Sequence, residues 1–402
     1  MKIKLLLMCD GIALSHIVRL MVLVSYLDRE KYEIVVAASP EYKHIAVGKA
    51  DQIIELDTLS VKEFEERENT VTGNIYDKDV LKMYIESDLK IISEVKPDII
   101  IGDLRVSLGI TAKISKIPYI NIQNAHWSTF SMVDFPMPDF NLLKLFLCII
   151  SGMTPTKAQK NFVKAYNEYR IQYGMEKINT FQEFFTSGDL NLYADIPLLS
   201  PTRALTDGHA FIGPIIDFID NPLPSWWDEI KDDKKIVYCT IGSTGSIDKT
   251  RKIIKALEKL DVTVIVATAG KIDPSEFPEH FYVSKYVPAL KVIEKADLVI
   301  FNGGATLYQA LSKGKPVLSL PNMVDQFMFS SQIEKLKIGK VLRYNKMNSS
   351  NLVKVIRELL SDSTYKENAG KVMNEIKQYN VKERFVSIFE AYIDDLMANK
   401  SS

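Results

Sequence analysis

Short apolar runs alternate with helix-length amphipathic stretches along most of this chain. Ile3 to Cys9 is continuously apolar but for Lys4, the pattern of a buried strand. Ser15 then offers an N-cap, and Ile17, Leu20, Leu23, Val24 and Leu27 recur at helical spacing. Tyr32 to Ala38 predicts the next strand and Gln52 to Leu56 a shorter one. A charged stretch around Lys62 to Asn69 precedes a long helix from about Val80 to Val95, which Lys96-Pro97-Asp98 breaks. Ile99 to Ile101 predicts a strand ending at Gly102-Asp103, then Val106, Ile110 and Ile114 mark a helix, and Tyr119 to Ile122 another strand. Strands separated by helices in this way build a parallel sheet with crossover connections.

The rhythm lapses in the middle. Residues 125–190 are rich in aromatics and methionines and suit loops and helices. Turn and breaker residues cluster from Gly213-Pro214 to Pro222-Leu223-Pro224, marking a linker. From Lys235 the alternation restarts. It predicts strands at Ile236 to Ile241, Val262 to Ala267, Phe281 to Val283, Leu298 to Phe301 and Pro316 to Leu320, with a helix from about Thr306 to Lys313. The expected architecture is α/β: two doubly wound domains facing a cleft. Residues 1–217 form the first, 218–234 the linker, 235–378 the second, and 379–402 end the chain as a helix. Ligands of such sheets bind beyond the carboxyl ends of the strands, so both halves would contribute loops.

Composition narrows the class without naming it. The 402 residues are 47% hydrophobic and 25% charged, enough apolar material for more than one core and too much for a disordered chain. Fifty basic side chains balance 51 acidic ones, so no global field draws the protein to nucleic acid. Cys9, Cys148 and Cys239 lie far apart in apolar runs, which fits reduced thiols in a cytoplasmic protein. Leu5 to Cys9 is too short for the apolar core of a signal peptide, and Leu142 to Met153 falls below the ~18 residues of a membrane span. A soluble, cytoplasmic protein is expected, with peripheral membrane contact left open.

Several chemistries lack their motif. There is no GxGxxG after a strand, no GxxxxGK[ST], no HExxH and no GxSxG. Five histidines and three dispersed cysteines speak against a transition-metal site. What stands out is Phe301-Asn302-Gly303-Gly304-Ala305-Thr306-Leu307-Tyr308-Gln309-Ala310-Leu311, followed by Gly314, Pro316, Pro321 and Asp325-Gln326. A strand end, two glycines and a helix N-terminus can hold a diphosphate, because backbone N–H groups approach it closely and the helix dipole favours its charge. A turn that merely joins strand to helix is the other reading.

This block resembles the donor signature of the family 1 NDP-sugar glycosyltransferases, which have the GT-B fold of two Rossmann-like domains. Their pattern runs His-Gly-Gly, a Thr, Glu-Ala-Leu, Gly-x-Pro, Pro and Asp-Gln. Here Asn302 stands in place of the His and Gln309 in place of the Glu, and the turn is about one residue short. Tyr238 to Ser243, Phe211 to Pro214 and Tyr286-Val287-Pro288 are similar to further segments of the family. The resemblance implies that Gly242, Ser243, Tyr286, Val287, Asn302, Gly303, Gly304, Thr306 and Gln309 hold the nucleotide. Asp325 and Gln326 would hold its sugar, a helix N-cap being the alternative for Asp325. It also implies a general base, His16 after the first strand, with Asp103 as its partner, and a C-terminal helix packed back on the first domain.

The implied activity is inverting, metal-independent transfer of a sugar from a UDP- or dTDP-sugar to a hydroxyl of a small, largely apolar acceptor, with no cofactor. Asn124, His126, Trp127, Phe130 and Phe135 are the acceptor candidates, and His126 is a second candidate base. A non-catalytic relative that binds nucleotide or a partner enzyme, and a sugar-nucleotide epimerase, are the alternatives.

Overall fold

The computed structural model describes residues 2–68, 75–134, 155–216, 221–231, 233–240 and 247–401. The first sheet contains β1 (Ile3–Cys9), β2 (Tyr32–Ala38), β3 (Gln52–Glu55), β4 (Ile99–Asp103), β5 (Tyr119–Gln123), β6 (Leu190–Tyr193) and β7 (His209–Phe211). Their spatial order is β3-β2-β1-β4-β5-β6-β7, and every neighbouring pair is parallel. The second contains β8 (Ile236–Thr240), β9 (Thr263–Ala267), β10 (Tyr282–Ser284), β11 (Leu298–Phe301), β12 (Val317–Ser319) and β13 (Gly339–Val341). It too is parallel, in the order β10-β9-β8-β11-β12-β13. This is the two-lobed α/β architecture the alternation predicts.

Helices cover both faces of each sheet, and the apolar strands follow from that. Leu5, Leu7 and Cys9 of β1 join one core with Ile17, Leu20 and Val24 of the helix Leu14–Val24. Leu6 and Met8 point the other way, to Ile91, Ile92 and Val95 of the helix Lys78–Val95. Asp77 caps that second helix by accepting from the Val80 N–H, and Lys96 ends it in the left-handed region at φ 51°. The C-terminal helix Val381–Ser401 sends Phe385 and Phe389 into the same core as β1, with the Phe389 ring 5.4 Å from Tyr32. After β6 the chain crosses over, and Ile196 and Leu199 enter the core of the second lobe beside Tyr308 and Phe329.

Local details depart from the pattern. The first helix begins at Leu14 with Ala13 in the cap position and no side-chain cap, so Ser15 lies inside it. The charged stretch forms the helix Val61–Glu68. Strands β6, β7 and β13 have four, three and three residues, too few to show a period. Arg105 is fully buried: its guanidinium pairs with Asp88 at 2.8 Å and lies over the Tyr84 ring. Phe135, Gly242, Ser243 and the whole run from Leu142 to Met153, Cys148 included, lie outside the described residues.

Candidate functional site

Each sheet has one place where its winding reverses, and the candidate residues gather at both. In the first lobe β1 and β4 are neighbours, with Cys9 paired to Asp103, and the chain leaves them toward opposite edges of the sheet. Such a reversal opens a crevice at the carboxyl ends of the strands. Asp103 is the last residue of β4, and His16 stands in the first turn of the helix after β1. His16 Nδ1 lies 2.8 Å from Asp103 Oδ1. An ionised carboxylate only accepts, so Nδ1 carries the hydrogen and Nε2 keeps its lone pair.

Arg19, one turn along the same helix, completes the arrangement. Its Nε donates to Asp103 Oδ2 at 2.7 Å and its Nη2 to Oδ1 at 2.6 Å, a two-pronged grip. Asp103 is wholly buried, and burial alone would raise its pKa. The Arg19 guanidinium and then His16 outweigh that and hold it below the usual carboxylate range. Both carboxylate oxygens of Asp103 are therefore committed to Arg19 and His16. Arg19 lay hidden in the sequence because an arginine on an amphipathic helix looks like a surface charge.

The third guanidinium nitrogen reaches further. Arg19 Nη1 donates to Asn124 Oδ1 at 2.7 Å, and Asn124 Nδ2 donates to Asp195 Oδ1 at 2.9 Å. Tyr308 OH, from the helix Ala305–Ser312 of the second lobe, donates to the same Asp195 oxygen at 2.6 Å. The Ala125 N–H donates to Asp195 Oδ2. Asn124 was expected at the acceptor; both ends of its amide are instead engaged inside this chain of bonds.

In the second lobe β8 and β11 mark the reversal, with Thr240 paired to Phe301. The turn after β11 is built by its two glycines. A Cβ on Gly303 would lie 2.5 Å from Gln326 Cγ, so Gln326 packs under a residue that must have no side chain. Gly304 has φ 73° and open space where its Cβ would be, which leaves its backbone accessible beside the helix N-terminus. Thr306 is half-exposed in the first helical turn, and Asn302 is buried. Gln309 is buried and turns its amide to the Ile216 carbonyl at 3.4 Å, toward the linker. Gln326 is buried as well, its Oε1 accepting from the Asn322 N–H at 2.8 Å. Tyr286 is 53% exposed, whereas Val287 is buried and its carbonyl accepts from Asn221.

The two lobes meet at Asp325. The helix Val324–Phe329 has Met323 in its cap position and no side-chain cap, so Asp325 does not serve as an N-cap. Its Oδ1 accepts from Trp127 Nε1 at 2.7 Å and lies 3.0 Å from His126 Nε2, both in the first lobe. Burial would raise its pKa, but the hydrogen bond and charge of His126, then Trp127, lower it. The His16 charge is felt there too, which puts Asp325 within electrostatic reach of the dyad. His126 and Trp127, expected at the acceptor, thus hold a second-lobe carboxylate. The Trp127 ring also packs on Phe185 and Phe181, at 4.8 and 5.8 Å, opening onto the aromatic cluster of the helices Pro155–Gln172 and Phe181–Phe185. Phe130 packs against His209 at 4.7 Å.

Among the described residues no group of three His, Cys, Asp or Glu is placed to hold a metal ion, and no helix is long and apolar enough to cross a membrane. Burial pushes the Cys239 thiol up to about 12 and raises Cys9 as well, so neither is a nucleophile at neutral pH.

The chain is similar to known proteins. The erythromycin biosynthesis protein CIII-like C-terminal domain matches residues 251–387. The PGL/p-HBAD biosynthesis rhamnosyltransferase of Mycobacterium bovis (strain BCG / Pasteur 1173P2) is 31% identical over 375 residues, covering 92% of this chain and 83% of the relative. The calicheamicin glycosyltransferase CalG4 superposes with a TM-score of 0.72 at 15% identity, over 98% of each chain. The spinosyn rhamnosyltransferase SpnG does so with a TM-score of 0.71 at 18% identity, over 97% of this chain and 100% of its own; it has also been solved with thymidine diphosphate and with spinosyn aglycone. The chain is a glycosyltransferase with the GT-B fold and belongs to family 1 of the NDP-sugar-dependent enzymes.

Proposed function

We propose that the protein transfers a sugar from a dTDP- or UDP-sugar to a hydroxyl of a flat or lipophilic acceptor, with inversion at the anomeric carbon and without a metal. The observation that carries this reading is the buried Asp103 carboxylate, which engages His16 through Nδ1 and so would leave Nε2 as the nitrogen that acts on the acceptor. His16 would take the acceptor O–H proton on Nε2 as the acceptor oxygen bonds to the anomeric carbon. The bond from that carbon to the diphosphate breaks in the same step, and the nucleoside diphosphate leaves with the electron pair. Asp103 would stabilise the imidazolium. Backbone N–H groups at Gly303 and Gly304, with the helix Ala305–Ser312 behind them, would meet the charge of the leaving group. Asn302 would add an amide donor there.

Asp325 would hold a sugar hydroxyl. Two similar proteins are rhamnosyltransferases by name, and one of them has been solved with thymidine diphosphate, which makes dTDP-rhamnose the first donor to try. Trp127 and the phenylalanines behind it support a flat, aromatic acceptor.

The test is incubation with dTDP-rhamnose, dTDP-glucose or UDP-glucose and a panel of phenols, in EDTA. Acceptor-dependent release of NDP, and a glycoside whose anomeric configuration is opposite to the donor's, are expected. Activity restored only by added Mg²⁺ or Mn²⁺, or retention of configuration, overturns the mechanism. Epimerised donor with no transfer overturns the acceptor assignment.

A further inference from the structure

Arg19 has a role that a helix-surface arginine does not need. Three of its nitrogens are engaged, two on Asp103 and one on Asn124, and it is 9% exposed. Its grip uses both oxygens of Asp103, including the one that binds His16. A carboxylate held on a planar fork cannot swivel about its own Cβ–Cγ bond. The direction of the His16 hydrogen bond, and so of the Nε2 lone pair, is then set by where the guanidinium lies. The guanidinium is fixed from its far side by Asn124, which Asp195 holds, and Tyr308 of the second lobe holds Asp195.

We infer that Arg19 is a positioning residue for the transfer reaction, aiming the His16–Asp103 pair at the acceptor hydroxyl while touching neither substrate. The inference rests on the reading of His16 as the base. Arg19 Nη2 also lies 3.2 Å from His16 Nδ1, and two nitrogens that both carry hydrogens gain nothing from that approach. The proximity is tolerated because the one carboxylate satisfies both groups. Buried charges arranged this way stabilise a fold poorly compared with apolar side chains, which favours a functional reason for them.

The experiment compares Arg19→Gln in two backgrounds, the otherwise native chain and His16→Ala, using the donor and phenol that turn over best. In the native background kcat should fall by about 10- to 100-fold, the cost of a misplaced catalytic group, with the donor KM and calorimetric TDP binding within about twofold. In the His16→Ala background the same change should cost less than about twofold, because Arg19 acts only through the base. Arg19→Lys covers the case in which Arg19→Gln does not fold. A single ammonium cannot grip both oxygens, so kcat should fall in the same direction by a smaller factor, with melting near native.

Three results separate the ideas. Native turnover in His16→Ala shows that His16 is not the base and removes the reading beneath this proposal. A slow His16→Ala beside a native-like kcat in a folded Arg19 variant overturns the proposal alone. So does a loss from Arg19→Gln that is equal in both backgrounds, since that is the signature of a general effect on the fold.

Discussion

The two crevices are built from opposite materials. At the β1/β4 reversal the lining is ionic and titratable side chains, His16, Arg19 and Asp103, locked to one another. At the β8/β11 reversal the described residues offer chiefly backbone: Gly303, Gly304 and a helix N-terminus, flanked by the neutral amides of Asn302 and Gln309. The difference follows from what each would handle. Moving a proton needs a titratable group held in one orientation, which only a bonded side-chain network provides. Holding a diphosphate needs several donors close together, which backbone N–H groups provide once side chains are out of the way. Charge is placed where it must change during the reaction and withheld where the ligand brings its own.

Removing the base gives the largest expected effect and tests the first half of this contrast. His16→Ala should lower turnover by ~10²–10⁴ while TDP binding, which belongs to the other crevice, is unchanged. Asp103→Asn should act in the same direction, because an amide cannot stabilise an imidazolium as a carboxylate does. Steady-state rates beside calorimetric TDP binding decide it. A native rate in His16→Ala, or TDP affinity that falls with the rate, breaks the division between the lobes. His126 would be the next histidine to replace, although its Nε2 is already directed at Asp325.

Gly303→Ala tests the second half. The new methyl would need space held by the Gln326 side chain, at a backbone φ of 153° that alanine rarely adopts. Overpacking and backbone strain together should cost about 2–4 kcal/mol, read as a lower melting temperature and weaker TDP binding. Gly304→Ala meets open space and should cost less, chiefly the positive φ of 73°. Equal effects at the two glycines would mean that Gln326 moves aside and that the turn is not shaped by its packing.

The same contrast explains what could be read from the sequence. Strands β1, β2, β4, β5, β8, β9 and β11 were legible because burial on both faces leaves unbroken apolar runs. The glycine turn was legible because Gly-Gly directly follows a visible strand, and His16 and Asp103 because one follows and the other ends a strand that was itself visible. The network behind them was not. The successive pairs Arg19–Asn124, Asn124–Asp195 and Asp195–Tyr308 lie 105, 71 and 113 positions apart, and nothing local marks an asparagine or a tyrosine as one end of a long-range bond. His126 and Trp127 were visible as a cluster, but their bonds to Asp325 were not, since only the docking of the lobes brings that carboxylate to them. Strands β6, β7 and β13 were hidden because Asn191, His209 and Gly339-Lys340 leave no unbroken apolar run in them.

Asp325 carries the smallest effect and lies where the two crevices meet. Its Oδ1 is taken by Trp127 and His126, so Oδ2 is the oxygen a sugar hydroxyl would use. Because its folded-state pKa is depressed, the bridge contributes above the ordinary carboxylate range and is lost only as pH falls below it, so it is intact at neutral pH. Asp325→Ala should therefore weaken TDP-sugar by about 1–3 kcal/mol at pH 7, the worth of one or two hydrogen bonds, and leave TDP nearly unchanged. Trp127→Phe keeps the ring packing, removes one donor to Oδ1 and leaves the carboxylate in place. It should weaken TDP-sugar by about 1 kcal/mol or less. Calorimetry with TDP and dTDP-rhamnose on both variants makes the comparison. Equal weakening of both ligands by Asp325→Ala would make the carboxylate a lobe-to-lobe tie and remove it from sugar recognition. A larger loss from Trp127→Phe than from Asp325→Ala would move that recognition to the indole in the first lobe, and the division of labour between the crevices would end at the diphosphate.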